Sequence, residues 1–350
     1  MDPDRADASP MAPDEEAAHP SLLRRAGVSL LPLLVLAVAL WAVRLPYFVL
    51  APGPAQEVEP LIHVTGPATY PSAGHLLLTD VIFYQPNAYQ VLAAWVNPDD
   101  HVVRQDELIS PGQSQEQFIR QGYSQMDTSK IDAAVVALTH ETGYPKDHGQ
   151  GVLIENVFPG TPAANHLFPG DLITRVDGEP ANVDRVGSSI KAAGFGGTVT
   201  FVVQAGGKTR TVRVSPTHLK GVSYPAIGVS LVANFPFRVA ISSQGIGGPS
   251  AGLMWTLGLV DLLTPGDLTG GRTIAGTGEM GVDGRVRPIG GVEQKVAAAE
   301  AAHATVFFVP EANADDAASV AHDLTLVPVK TLSDALDWLR LNPAGSPAGG

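Results

Sequence analysis

The chain has no cysteine. That absence removes disulfides, thiol nucleophiles and Cys-ligated metal sites together, and it is compatible with either side of a membrane. Positive charge is scarce too: 22 Lys and Arg stand against 35 Asp and Glu, a net charge of −13. With no basic stripe to replace phosphate counterions, nucleic acid is excluded as an expected partner. A nucleotide loop is also missing. Gly207-Lys208-Thr209 ends like a phosphate-binding loop, but Val202 stands where the first glycine belongs, and the flanks read strand–turn–strand. ATP therefore has no seat, and neither a cofactor nor a metal is expected. Asp99-Asp100-His101, after Pro98, reads as a solvated turn.

What is present begins with one long apolar run, Val28 to Val43, preceded by Arg24-Arg25. With flanking residues to Leu50 it nears the roughly 20 apolar residues that cross a bilayer. The paired arginines favour a cytoplasmic N-terminus. The run is longer than a signal-peptide core and no A-x-A site follows, so residues 26–50 are expected to be an uncleaved transmembrane anchor. Residues 1–25 are then a disordered cytoplasmic tail, and everything after a Pro-rich linker, Ala51 to Pro60, lies outside the cytoplasm of a bacterial plasma membrane.

The 350 residues have room for several domains, and the expected class is multidomain α/β (α+β). Residues 57–145 read as a small α/β domain: strand-like Leu61 to Thr65 and His75 to Tyr84, then helical Gln115 to Met126 and Lys130 to Thr142. Residues 149–217 form a second unit that closes with a hairpin around Ala205-Gly206-Gly207-Lys208. A third, residues 223–341, starts with strand-like Ile227 to Val232 and Phe237 to Ser242 and ends with a helix from Ser333 to Leu341; residues 342–350 read as a disordered tail.

The chemistry is concentrated in Gly245 to Thr264, GIGGPSAGLMWTLGLVDLLT. A glycine-rich turn delivers one serine, Ser250, to the start of an apolar helix. Such a turn lets substrate backbone approach and points free amides at the hydroxyl, as an oxyanion site requires. The plainer reading is a serine capping a helix. Gly248-Pro249-Ser250-Ala251-Gly252 also satisfies G-x-S-x-G, an α/β-hydrolase elbow that would need His303 or His322 as base. Too few strands precede it in its domain for that fold. A neutral lysine is the other activator, provided burial depresses its pKa. Lys295, among Ile289, Val292 and Val296, is the candidate base.

Two regions carry family resemblances. Gly160-Thr161-Pro162-Ala163-Ala164, Leu167, Pro169-Gly170-Asp171-Leu172-Ile173 and Val176-Asp177-Gly178 resemble PDZ domains found beside bacterial proteases. That resemblance implies an added peptide strand at an edge near Val152 to Val157, with Gly149, Gly151, Val152 and Ile154 as peptide-binding residues. GGPSAGL and TGEMGVDGRVRPIGGVEQK, followed by Val306 to Asn313, resemble the proteolytic domain of the Lon (S16) family over about residues 225–341. The resemblance implies a Ser–Lys dyad of Ser250 and Lys295. It makes Thr277 the residue that orients the lysine, and it puts backbone amides of Gly248, Ser250 and Ala251 at the oxyanion.

The whole arrangement is similar to membrane-anchored, PDZ-bearing Lon-like bacterial proteases of the YlbL type. It implies an ATP-independent serine endopeptidase acting on extracytoplasmic or membrane-associated proteins, with a homo-oligomeric, even hexameric, assembly. An inactive peptide-binding scaffold is the alternative. One departure stands out: Gly247 occupies the place where the family usually has Asp.

Overall fold

The structure, a computed structural model, describes residues 22–343, with side chains from residue 32 onward. The tails expected at residues 1–25 and 342–350 lie almost entirely outside that range. Helix α1 (Leu22–Ala42) carries the apolar run as far as Ala42, with Pro32 inside it. Among the described residues no helix is long and apolar enough to cross a membrane.

The expected anchor extended to Leu50 and was followed by a linker; both bounds change. Tyr47 already opens strand β1 (Tyr47–Glu57), where Phe48 and Val49 are buried. Pro52 and Pro54 of the expected linker sit within β1, where its register shifts between Pro52 and Ala55, and Pro60 lies in the 3-10 turn Glu59–Leu61 that follows. An irregularity of this kind is where a paired strand tolerates proline.

Next come β2 (Ile62–Thr65), β3 (His75–Tyr84), α2 (Ala88–Val96), β4 (His101–Arg104), a single turn α3 (Gln105–Leu108) and α4 (Gln115–Glu141). Capping boxes at Asn87/Gln90 and Ser114/Gln117 set the starts of α2 and α4. Two expected helical pieces are thus one helix, α4.

The second unit has β5 (Val152–Val157), β6 (Leu172–Val176), β7 (Glu179–Pro180), α5 (Val183–Ala193), β8 (Val199–Ala205), β9 (Lys208–Val214) and β10 (Val229–Ala233). The rest is β11 (Arg238–Ile241), α6 (Gly252–Leu263), β12 (Thr273–Gly276), β13 (Glu279–Met280), β14 (Val286–Arg287), α7 (Val292–Ala301), β15 (Val306–Pro310), α8 (Ala314–Ala318), β16 (Thr325–Val329) and α9 (Leu332–Leu341).

One six-stranded sheet, ordered β16-β15-β12-β3-β1-β4, organises the molecule. Three strands precede the second unit and three follow it, so residues 57–145 are not a separate domain but half of the one completed by the residues after the second unit. The joint is the parallel pair β3–β12, Leu76 opposite Ile274. Alternation along β3 shows why both faces are filled. Leu76 and Leu78 join Ile274, Phe308 and the α6 residues Met254, Trp255 and Leu257, whereas Leu77 joins Ala275, Phe307 and the α7 residues Val292, Val296 and Ala299. Only the first half of β3, Leu76 to Thr79, is buried on both faces, and there the sequence reads as a continuous Leu-Leu-Leu run.

The second sheet, β10-β5-β6-β8-β9, is antiparallel and has its own core around Ile154, Leu167, Ile173, Val186 and Phe201. The expected hairpin forms, with Ala205 paired to Lys208. Strand β10 was expected in the third domain. It belongs to this sheet, where it pairs antiparallel with β5 from Val229–Val157 to Ala233–Val152. The whole unit leaves and re-enters the larger domain at one point: Gly149 N–H donates to Asn234 O at 3.0 Å, and Asn234 Nδ2 donates to Gln150 O at 2.8 Å.

Candidate active site

The site lies just beyond the carboxyl end of β12, where Thr277 follows the last paired residue, Gly276. Helix α6 approaches from one face of the sheet and α7 from the other. Ser250 sits in the turn before α6, which is buried nearly throughout. Its carbonyl is held from two directions, by Gly278 N–H at 2.8 Å and Thr277 Oγ1 at 3.1 Å. Leu253 N–H donates back to Gly278 O at 3.0 Å, tying the start of α6 to the strand end.

Lys295 occupies the first turns of α7 and is 3% exposed. Its Nζ lies 2.6 Å from Ser250 Oγ and 3.1 Å from Thr277 Oγ1. Burial pushes the ammonium pKa down from 10.5 to about 8, partly opposed by the negative charge of Asp80. A lysine in that range is neutral in a useful fraction of molecules near neutral pH, which a base for a serine requires. Thr277 Oγ1 lies between Lys295 Nζ and the Ser250 carbonyl and so fixes the direction of the lysine tip. The structure thus brings Ser250, Lys295 and Thr277 into one hydrogen-bonded cluster. His303 and His322 are on the surface, and His322 faces Glu300 at 3.5 Å.

Two expected assignments change. Gly248 N–H does not point into the site; it donates to Gly122 O on α4 at 2.8 Å. The amides of Ser250 and Ala251 donate to no other residue among the described ones, so of the three amides expected at an oxyanion only those two are free. Gly248 contributes instead a positive φ of 86°, which the turn needs to present Pro249 and Ser250. The second change concerns the peptide edge. Val152 and Ile154 are fully buried, Gly149 is tied to Asn234, and β5 has neighbours on both sides. The free edge on that side of the sheet belongs to β10, beside α5.

Sequence reasoning missed Asp80 and α4. Asp80 is the one acid within the apolar run HLLLTDVIFY, and that isolation was the available signal. Burial raises its pKa and the Lys295 charge lowers it. Helix α4 touches the serine turn again through Ser129 Oγ, which donates to Pro249 O at 2.9 Å. A cavity of about 430 Å³ lies among Asp80, Val81, Phe118, Ile119, Tyr123 and the Gly245–Gly248 turn. A larger one, about 980 Å³, opens between α4, the end of β5, Pro249 and Glu279.

Residues 241–340 match the family model of the Lon protease (S16) C-terminal proteolytic domain. Lon protease of Mycolicibacterium smegmatis is 38% identical over 104 residues, 28% of this chain and 13% of that protein. Lon protease 2 of Bacillus subtilis (strain 168) is 32% identical over 110 residues, 31% of this chain and 19% of that protein. The chain thus spans less than a fifth of the length of these two relatives. Among solved structures, the PDZ domain of the SdrC-like protein from Listeria monocytogenes is 31% identical, covering 23% of this chain and 87% of that chain with a TM-score of 0.22. The PDZ domain of the SdrC-like protein from Listeria innocua is 29% identical, covering 23% and 92%, also with a TM-score of 0.22. The segment that holds Ser250, Thr277 and Lys295 is therefore similar to the proteolytic domain of Lon-type serine peptidases.

Proposed function

We propose that the protein is an ATP-independent serine endopeptidase that uses a Ser250–Lys295 dyad. The observation that carries this reading is the 2.6 Å approach of a fully buried lysine Nζ to the serine Oγ. Neutral Lys295 takes the hydroxyl proton as Oγ attacks the scissile carbonyl. The Ser250 and Ala251 amides, at the positive end of α6, hold the oxyanion. The ammonium then returns its proton to the leaving amine, and water completes deacylation by the same route. Thr277 keeps the lysine aimed throughout.

The remaining parts take supporting roles in this reading. The PDZ-like unit accepts an extended peptide as a further strand on β10. The apolar run from Val28 to Val43, part of whose side chains lie outside the described residues, anchors the chain in a bacterial plasma membrane with the catalytic domain outside, as the run and the paired arginines imply. Several copies assemble, as in the family resembled. Cleavage of an unfolded protein by the full chain tests the core of this reading. Activity should be lost in Ser250→Ala and Lys295→Met and be indifferent to ATP; cleavage retained by either variant overturns the dyad. The scaffold alternative predicts no turnover and no labelling of Ser250 by a serine-directed covalent inhibitor.

A further inference from the structure

The catalytic domain carries an apolar helix face that the proposed chemistry does not use. Helix α2, AYQVLAAWV, contains no charged residue. Val91 and Ala94 face the protein and are buried, while Tyr89, Leu92, Trp95 and Val96 are 43%, 56%, 70% and 85% exposed. The exposed positions recur at helical spacing, so they make one stripe. On a water-facing helix such a stripe loses the burial that Leu, Trp and Val side chains normally gain.

The stripe is continuous with α1. Tyr89 OH donates to Ala37 O at 3.3 Å, and Leu33, Leu34, Val35, Leu36, Val38 and Trp41 are exposed on α1. At the turn between them, Arg44 Nη1 donates to Gln85 O at 3.1 Å and to Gln90 Oε1 at 3.2 Å, which fastens the end of α1 to the start of α2. Ala37 lies five residues inside the carboxyl end of α1 at Ala42, about 7 Å along a helix rising 1.5 Å per residue. If α1 is inserted in a bilayer, α2 then sits at the depth of interfacial helices, some 5–10 Å into the headgroup and acyl boundary. Tyr89 and Trp95 are the aromatic types enriched there.

We propose that α2 is a membrane-docking helix that lays Tyr89, Leu92, Trp95 and Val96 into the lipid interface and holds the catalytic domain against the bilayer. The inference rests on the anchor reading of α1. Asp99 and Asp100 follow directly, so apolar area rather than charge drives the contact, and added salt leaves it unchanged.

The test uses the full chain in zwitterionic vesicles containing brominated phospholipid, on a Trp41→Phe background. Of the remaining tryptophans, Trp255 is buried and Trp338 packs edge-on against Phe308. Emission should be quenched, and Trp95→Phe should abolish that quenching. Flotation with the vesicles but no quenching, with Trp95 open to aqueous acrylamide, overturns the docking face while the anchor stands. No quenching from either side means that a second copy covers the stripe, which equally overturns a lipid contact. Failure to float removes the anchor and the docking face together.

Discussion

At the residue scale, Lys295 is the group whose properties the fold alters most. Lowering its pKa from 10.5 to about 8 means the folded state binds the proton less well than the unfolded chain. The resulting penalty is complete below pH 8 and disappears above 10.5, so wild-type stability rises with pH across that window. At about 1.36 kcal/mol per unit the penalty is on the order of 3 kcal/mol. Lys295→Met should therefore be inactive, losing about 10²- to 10⁴-fold as expected for a general base. It should also melt higher than wild type at pH 7, by a margin that closes as pH approaches 10.5 in thermal denaturation. If Lys295 is the base, kcat/KM should climb with pH through about 8. Asp80 holds that value up, so Asp80→Asn should move the climb to lower pH; an unmoved profile would show that Asp80 does not act on the lysine.

The serine, the threonine and the lysine were legible because each lies in a short contiguous motif. The engagement of the Gly248 amide was not, because its partner, Gly122, is on a distant helix. That contact also bears on the departure at Gly247. A Cβ there would stand 3.3 Å from the Gly122 carbonyl carbon, so an aspartate, usual in the resembled family, would need α4 to give by a few tenths of an ångström.

At the element scale, α4 is the part the sequence concealed best. Its apolar periodicity was visible, yet nothing local showed that it faces the serine turn at one level and the second unit at the next. Within two turns, Ser129 bonds Pro249, Thr128 Oγ1 donates to Glu155 O at 3.1 Å, and Asp132 faces Glu155 of β5. Burial, then the neighbouring Glu155 charge, raises the Asp132 carboxyl to about 8. A raised acid favours folding while protonated: its contribution is full below 3.8 and is lost as pH rises through about 8. Asp132→Asn keeps the shape and removes the titration. It should stabilise the protein at pH 8 and flatten the decline between pH 4 and 8 in denaturant titrations; an unchanged slope would remove Asp132 as its source.

Strand β10 was misplaced for a related reason. Its β-branched run was recognised, but strand partnership is decided by which edge is free, and β5 offered one. If β10 is the peptide edge, hydrogen exchange should slow at alternate β10 amides when a bound peptide is added, and β5 amides should be protected with or without it.

At the scale of the whole molecule, the linear order of domains is misleading. The catalytic sheet needs β1, β3 and β4 from before the PDZ-like unit and β12, β15 and β16 from after it. Cutting at residue 223, as the sequence divides itself, would strip Leu76, Leu77 and Leu78 from both faces of that sheet. At about 25 cal/mol per Å² of apolar surface, three buried leucines contribute several kcal/mol, a large fraction of any domain's net stability. Fragment 223–341 should therefore be unfolded by circular dichroism despite containing both Ser250 and Lys295. Excision at the other boundary should have the opposite effect. Gly149 and Asn234 are hydrogen-bonded neighbours, so removing residues 150–233 and rejoining the ends leaves a gap that a short turn closes. The shortened chain should fold and retain cleavage of small peptides, with the serine turn loosened only where α4 loses Glu155. The excised unit, with its own core around Ile154, Ile173 and Phe201, should fold alone. If instead the shortened chain is unfolded, the PDZ-like unit is a structural part of the catalytic domain rather than a module inserted into it.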